Sequence, residues 1–372
     1  MITLQEANTN ALLTDFVKFP FSLYKNHPYW VPPLIQEELQ SFDKNKNPAF
    51  ESAEAYFYLA YKNDTLVGRI AAIINWDEVN HQGKRKVRFG WWDVIDNVEV
   101  TRALLEKVYQ LGRKNNLDYI EGPMGFSNLD KVGVLTEGFD EMGSMITWYN
   151  YPYYATHLEQ LGYVKEKEYL ESKFPFENVK PIFFYKIQEL IKKRYHLTPL
   201  NFTKTKDIMP YVDEMFDLFN NSYASLSSFV AITTTQKEYF KKKYISFINP
   251  EYIKFVMDKD NKMVAFSIVM PSFSRALQKA NGKLFPFGFY HLLKAKKESK
   301  EVLFYLIGVD PYYQNKGVTA IIFNECYNTF TEKGILNCIR TPELEDNLAV
   351  QNLWKHFDPV VFRRRRTYRK EL

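Results

Sequence analysis

The sequence predicts an α/β chain of two tandem domains built on one order of elements. Three observations carry that expectation. The order strand, turn, strand, strand, helix, strand, helix occurs once in each half; an apolar strand in the second half runs directly into a Gln-x-x-Gly turn that opens a helix; and 372 residues of 46% hydrophobic content suffice for two cores. Single domains commonly run about 100 to 200 residues.

In the N-terminal half, Tyr56 to Tyr61 and Leu66 to Ile74 read as strands joined by the turn Lys62-Asn63-Asp64, because apolar runs rich in β-branched and aromatic residues are bounded there by turn formers. A third strand spans Val87 to Ile95. The helix from Val98 to Lys114 starts after Asp96 and Asn97, which suit capping. Tyr119 to Ile120 is a short strand, and Tyr153 to Leu161 a helix. The C-terminal half repeats the pattern: strand Tyr252 to Met257, turn Asp258 to Asn261, and strands Val264 to Met270 and Val302 to Val309. A helix from Ala320 follows, then a strand from Ile335 to Ile339, a turn from Thr341 to Asn347 and a helix from Leu348 to Phe357. The order recurs although the residues do not, which predicts a degenerate duplication with domains at 1–175 and 200–372 and a connector at 176–199.

The sharpest chemical signal lies between Val302 and Thr319. Val302 to Val309 is apolar enough for a buried strand, and Ala320 to Tyr327 has the spacing of an amphipathic helix. Between them, Gly317 is expected to remove a Cβ where the backbone approaches a ligand. The first turn of the helix leaves N–H groups without partners, and together with the helix dipole these suit a pyrophosphate.

This segment resembles the acyl-CoA-binding signature of the GCN5-related N-acetyltransferase (GNAT) superfamily, (Gln or Arg)-x-x-Gly-x-(Gly or Ala) at the start of a helix. Gln314, Gly317 and Thr319 hold those positions, Thr319 departing from the usual Gly or Ala. The superfamily order continues with an Asn before the last helix, matched by Asn347, and a Tyr seven positions on that often protonates the leaving thiolate; this chain has Trp354 there. Runs such as Gly122 to Ser127, Glu137 to Asp140, Tyr149 to Tyr154 and Phe285 to Gly288 extend the resemblance over nearly the whole chain, to a bacterial subgroup of this length. The resemblance implies two GNAT-like domains, each a mixed, mostly antiparallel central sheet flanked by helices. It implies acetyl-CoA or another acyl-CoA as cofactor. Backbone groups of Ile307, Gly308 and Val309 would meet the pantetheine and thioester, Gln314, Asn315, Lys316, Gly317, Val318 and Thr319 would surround the pyrophosphate, and Asn347 would add a contact. No such turn precedes the helix at Val98, so the first half is expected not to bind the cofactor.

With Trp354 at the usual acid position, Tyr313 or its neighbour Tyr312 is the candidate replacement. Glu343, closer to the strand end than Glu345, is the candidate base, provided burial raises its pKa; the plainer role is solvating the loop before Asn347. Asn150, Tyr153 and Tyr154 are candidate substrate contacts in a cleft between the halves.

Composition narrows the partners. A net charge of +5 is too small for a dedicated nucleic-acid binder. Cys326 and Cys338 read as reduced core residues, pointing to the cytoplasm, and the six histidines are too scattered to predict a metal site. No apolar run approaches the roughly 20 residues of a membrane span. Between Ser272 and Lys300, Phe285, Phe287, Phe289 and Tyr290 mix with lysines. That pattern fits either a solvated hairpin or a segment lying on an anionic membrane surface, which would make the protein peripheral to the inner membrane. Arg363 to Arg366 lie on the expected last strand, where alternation puts two on each face; a solvated, charge-protected edge is the simpler expectation, a phosphate contact the other. The sequence thus predicts N-acyl transfer from CoA to a primary amine by direct attack. The alternatives are long-chain transfer to an amine-bearing lipid at a membrane surface and a non-catalytic ligand-binding scaffold.

Overall fold

The computed structural model describes residues 1–127, 129–224, 229–245 and 248–372. In chain order the fold begins with β1 (Ile2–Glu6), α1 (Asn10–Leu23), α2 (Ile35–Phe42), β2 (Ala53–Lys62), β3 (Thr65–Asn75) and α3 (Trp76–His81). Next come β4 (Lys86–Val94), α4 (Val98–Lys114), β5 (Tyr119–Gly122), β6 (Val134–Glu137), α5 (Tyr153–Gln160) and β7 (Val164–Pro175). The middle holds α6 (Pro181–Tyr195), β8 (Thr198–Asn201), α7 (Thr205–Ile208), α8 (Val212–Tyr223), α9 (Thr234–Phe240), β9 (Ile253–Met257) and β10 (Met263–Pro271). The chain finishes with α10 (Ser274–Ala280), α11 (Gly288–Glu298), β11 (Glu301–Val309), α12 (Thr319–Lys333), β12 (Asn337–Leu344), α13 (Leu348–Leu353) and β13 (Val360–Glu371).

Two packing units emerge: 1–170 with 274–291 and 362–372, and 171–273 with 292–361. They differ from the linear boundaries expected at 175 and 199. The stretch expected as a connector forms α6, whose Phe184 and Ile191 share a core with Ile321 and Phe323 of α12. The first helix of the insertion, α10, packs with the N-terminal residues instead of its sequence neighbours. Its Gln278 Nε2 donates to the carbonyls of Pro28 and Trp30 at 2.9 and 3.0 Å, and Ser274 Oγ donates to Gly143 O at 2.8 Å.

In the first unit the strands run β1-β2-β3-β4-β5-β13, antiparallel except for β4 and β5. All nine residues of β4 are buried. A strand covered on both faces reads as continuous burial, and here α4 covers one face while α1 packs toward the other. Asn97 caps α4 as expected, its side chain accepting from the N–H groups of Glu99 and Val100. Beneath the sheet lies a buried ion network. Glu78 of α3 stands 3.1 Å from Lys86 Nζ and 2.8 Å from Arg88, and Lys86 reaches Glu121 at 2.7 Å. Burial alone would raise the Glu78 carboxyl, but Arg88 and Lys86 outweigh it and hold it down to about 2.

The arginine run departs from the expected solvated edge. β13 pairs with β6 through Arg364, Arg365 and Arg366 and with β5 through Tyr368 to Glu371. Arg363 and Arg365 are buried, donating to the carbonyls of Met142 and Trp148 at 2.8 and 2.6 Å. Arg364 and Arg366 point the other way, toward Glu137 and Glu168. Alternation was right, and loop carbonyls supply what an apolar neighbour could not.

In the second unit the order is β12-β11-β10-β9-β8, antiparallel except for β11 and β12. Helices α6 and α12 pack together, and α8 lies against β10 and β11. Cys326 and Cys338 are free and buried in this core; burial pushes the Cys326 thiol up to about 12. The strand expected at Ile335 to Ile339 extends as β12 to Leu344, which places Glu343 on a strand end instead of in a turn.

Candidate active site

Strand geometry opens the candidate site. β11 pairs with β10, but the register slips between Ile268 and Val269 and leaves Tyr305 unmatched, a β-bulge that bends the strand. On its other side β11 pairs with β12 only from Glu301 to Phe304. Beyond that point the two strands part into a wedge between Tyr305–Val309 and Thr341–Leu344. Thr341 Oγ1, donating to Tyr305 O at 3.4 Å, stands at its apex.

The end of α8 closes on β11. Tyr223 OH donates to Ile307 O at 3.1 Å. A Cβ on Gly308 would lie 2.3 Å from the Phe266 ring and 2.9 Å from Ser222 Oγ, so any larger residue here would have to displace the buried Phe266 ring. Glu343 on the opposite strand is largely buried and receives the Arg340 guanidinium through Nε and Nη2. Burial raises its carboxyl while Arg340 pulls it down, and the net direction is upward. Tyr223 is pushed up to about 12, mainly by burial and in smaller part by the charge of Glu343, which places the two side chains in one electrostatic neighbourhood. At neutral pH Tyr223 therefore keeps its proton. Trp354 is 1% exposed and packs on Phe304 and Phe323 at 4.8 and 5.1 Å between centroids, so it is part of the core.

The Gln-x-x-Gly turn follows β11 directly. Asp310 accepts at its backbone from the N–H groups of Tyr313 and Gln314. Its side chain takes the Tyr312 N–H. Gln314 Nε2 donates back to Val309 O at 3.2 Å, so this side chain braces the turn. Asn315 and Gly317 adopt left-handed φ values of 59° and 78°. The glycine is needed for that conformation; within the protein a Cβ would meet only ordinary contacts, 3.5 Å from Ile187 and Ile191 of α6. Val318, before the first helical residue Thr319, offers no side-chain cap to α12. Lys316 Nζ lies 3.2 Å above the Tyr312 ring centroid. An uncapped helix start behind two left-handed residues fits a pyrophosphate.

Not every expected residue joins this site. Tyr313 sits between Tyr312 and Tyr195, with Asp258 and Asp310 as charged neighbours, whereas Glu343 lies among Arg340, Trp354 and Tyr223. The structure does not bring those two together. Asn347 caps α13, accepting from Val350 N at 3.3 Å. In the first unit, Asn150 spends its amide on Leu135 and Tyr151, and Tyr154 OH binds Tyr24 OH and the Val94 N–H. Both are buried, and their polar groups are taken up by partners within the first unit. Tyr153, half-buried, donates to Val94 O at 2.7 Å. Sequence reasoning missed Tyr223 and Arg340: no motif marks a tyrosine at a helix end or an arginine three residues before a glutamate.

The corresponding opening in the first unit is filled by its own chain. β4 and β5 pair only from Lys86 to Arg88, and Met124 N then donates to Phe89 O at 2.8 Å. A Cβ on Gly90 would lie 2.3 Å from Met124 O, and one on Gly122 2.4 Å from Phe89 O. Here close backbone approach does dictate glycine.

The second unit combines a bulged strand, a splayed neighbour and an uncapped helix start, the first unit has a filled counterpart of that opening, and the chain has the fold of solved tandem GNAT structures. No protein-family model matches the chain. Over its whole length it is similar to a tandem GNAT protein from the clavulanic acid biosynthesis pathway, with a TM-score of 0.57, 11% identity and 98% of that chain covered. It is likewise similar to a GCN5-related N-acetyltransferase from Sphaerobacter thermophilus, with a TM-score of 0.54, 9% identity and 95% of that chain covered. By sequence it is similar to protein YghO of Escherichia coli, 26% identical over 371 residues, covering 97% of this chain and 93% of that one. It is also similar to the bacterial ceramide synthase of Caulobacter vibrioides, 23% identical over 392 residues, covering 98% and 96%.

Proposed function

We propose that the chain transfers an acyl group from an acyl-CoA to the amine of a lipid, in the wedge between β11 and β12. The observation that carries the chemistry is the largely buried Glu343 on the wall of that wedge, with a carboxyl shifted upward. The full-length similarity to a ceramide synthase supports the lipid amine. The turn from Gln314 to Thr319 holds the pyrophosphate through backbone N–H groups, and Lys316 adds charge nearby. Tyr313 and its neighbour Tyr312 border this turn and act in binding. Glu343 takes a proton from the substrate ammonium; the neutral nitrogen then attacks the thioester carbonyl, forming the C–N bond as the C–S bond breaks. A backbone N–H of the bulged strand stabilises the oxyanion. Tyr223 gives its proton to the thiolate and takes the second proton that the nitrogen sheds on becoming an amide, so that amide and thiol both leave neutral; Trp354 has no O–H to fill that role. The exposed Phe285, Phe287, Phe289 and Tyr290, with the lysines of the same segment, bring the protein to the membrane that holds the lipid.

The core position of Trp354 favours one other reading, a scaffold that binds CoA without turnover. Calorimetry with CoA, acetyl-CoA and a long-chain acyl-CoA, followed by mass spectrometry of products with a long-chain amino alcohol, separates the readings. Long-chain preference with amide formation is expected; acetyl preference with small-amine products would replace the lipid reading, and binding without product would leave the scaffold. Gly317→Glu is expected to abolish CoA binding, because it adds a negative charge beside the pyrophosphate. Gly317→Ala, which carries only the strain of a left-handed residue, about 1–2 kcal/mol, is expected to retain most of it.

A further inference from the structure

Helix α6 is apolar on two sides and buried on one. Phe184, Gln188 and Ile191 are buried, whereas Ile182 (57% exposed), Tyr185, Ile187 and Leu190 (62% exposed) face solvent. A contiguous row of exposed apolar side chains marks a surface that meets a partner or a membrane. Exposed cations are interleaved with these side chains: Lys186, Lys193 and Arg194. Ile182, Lys186, Leu190 and Lys193 follow one line along the axis at i, i+4, i+8 and i+11. The one acidic residue of the helix, Glu189, is bound to Lys192 at 2.9 Å.

We infer that α6 is an interfacial helix that lies on an anionic lipid surface. Ile182, Tyr185 and Leu190 enter the headgroup boundary, while the lysine stems follow them and their ammonium heads reach phosphates. A second copy of the chain is a poorer occupant, because a two-fold contact is made by one patch with itself, and this patch carries Lys186, Lys193 and Arg194 with Glu189, its one acidic residue, already bound to Lys192. An anionic bilayer satisfies both the apolar and the cationic parts of the face. The seat of the helix matters for chemistry: Ile187 and Ile191 stand at contact distance from the place of a Gly317 Cβ. A helix lying on lipid thus sets the Gln-x-x-Gly turn at the bilayer surface, where long-chain acyl-CoA partitions. This inference deepens the lipid reading of the site, yet vesicle binding needs no turnover and is tested apart from it.

The test is co-sedimentation of the full chain with phosphatidylcholine vesicles, with and without added phosphatidylglycerol, at low and high salt. Three variants are compared: Ile182→Ser/Tyr185→Ser/Leu190→Ser, Lys186→Glu/Lys193→Glu, and Phe285→Ser/Phe287→Ser. The native protein is expected to bind only anionic vesicles, less at high salt. Each α6 variant is expected to lose about tenfold or more in affinity, a cationic residue near the surface being worth roughly 1 kcal/mol. Acylation of a detergent-dispersed amine should persist in those variants, which shows that they fold; absence of that activity in the native protein would instead count against the acyl-transfer reading. Four results would overturn the inference: no binding by the native protein, equal binding to neutral vesicles, α6 variants that bind like the native protein, or binding lost only in the Phe285/Phe287 variant. A dimer, seen by light scattering, that the α6 variants convert to monomer would assign the face to a second copy.

Discussion

Glu343→Gln is expected to lower kcat by about 10²- to 10⁴-fold, the range that a positioned general base contributes, with acyl-CoA affinity nearly unchanged. The amide remains an acceptor for Arg340, so the loss belongs to the proton and not to the fold. Because burial shifts the Glu343 carboxyl upward, the base becomes competent at a higher pH than an unperturbed glutamate would. The rate should therefore rise with pH through that shifted value, and the variant should lack this limb. Linkage has the matching sign: a carboxyl raised by folding contributes most below its unfolded pKa, and its contribution is lost as pH rises through the folded value. Tyr223→Phe should lower kcat with the Glu343 limb retained, since it removes one proton donor and leaves the base. A fully active Glu343→Gln protein with an unchanged pH profile would move the base elsewhere.

The largest stability effect is expected at Glu78. Glu78→Ala leaves Lys86 and Arg88 buried beside a missing carboxylate, and breaking a buried pair in this way costs about 3–5 kcal/mol. Its acid dependence follows from a carboxyl depressed from 4.5 to about 2. That contribution is fully present above 4.5 and disappears as the pH falls through 2, a loss on the order of 3 kcal/mol. Urea unfolding between pH 7 and pH 3 should show a steep decline in the native protein and a flatter one in Glu78→Gln. Equal slopes would mean that other carboxylates set the acid limit.

Local chemistry was legible where it depends on neighbours in sequence. The helix Val98–Lys114 and its Asn97 cap, the strand before the Gln-x-x-Gly turn and the left-handed glycine all follow from patterns a few residues long. Partners chosen across the chain were not legible. Nothing local distinguishes a buried arginine that donates to a distant carbonyl from one held in water, so Arg363 and Arg365 were misjudged. Nor does anything local place Asn150 and Tyr154, whose polar side chains suit a cleft as well as a buried network. Tyr223 was invisible for the opposite reason: its meaning lies in the Ile307 carbonyl it reaches, 84 positions away.

The pairing of β13 with β5 and β6 has a consequence for synthesis. Residues 119–137 leave the ribosome long before residues 362–372 exist, yet they receive their neighbouring strand only from that last segment. Closing such a distant pair is entropically slow. The half translated first is therefore completed late, and until residues 362–372 join it the strand edge of β5 stays open to any other strand that can pair there.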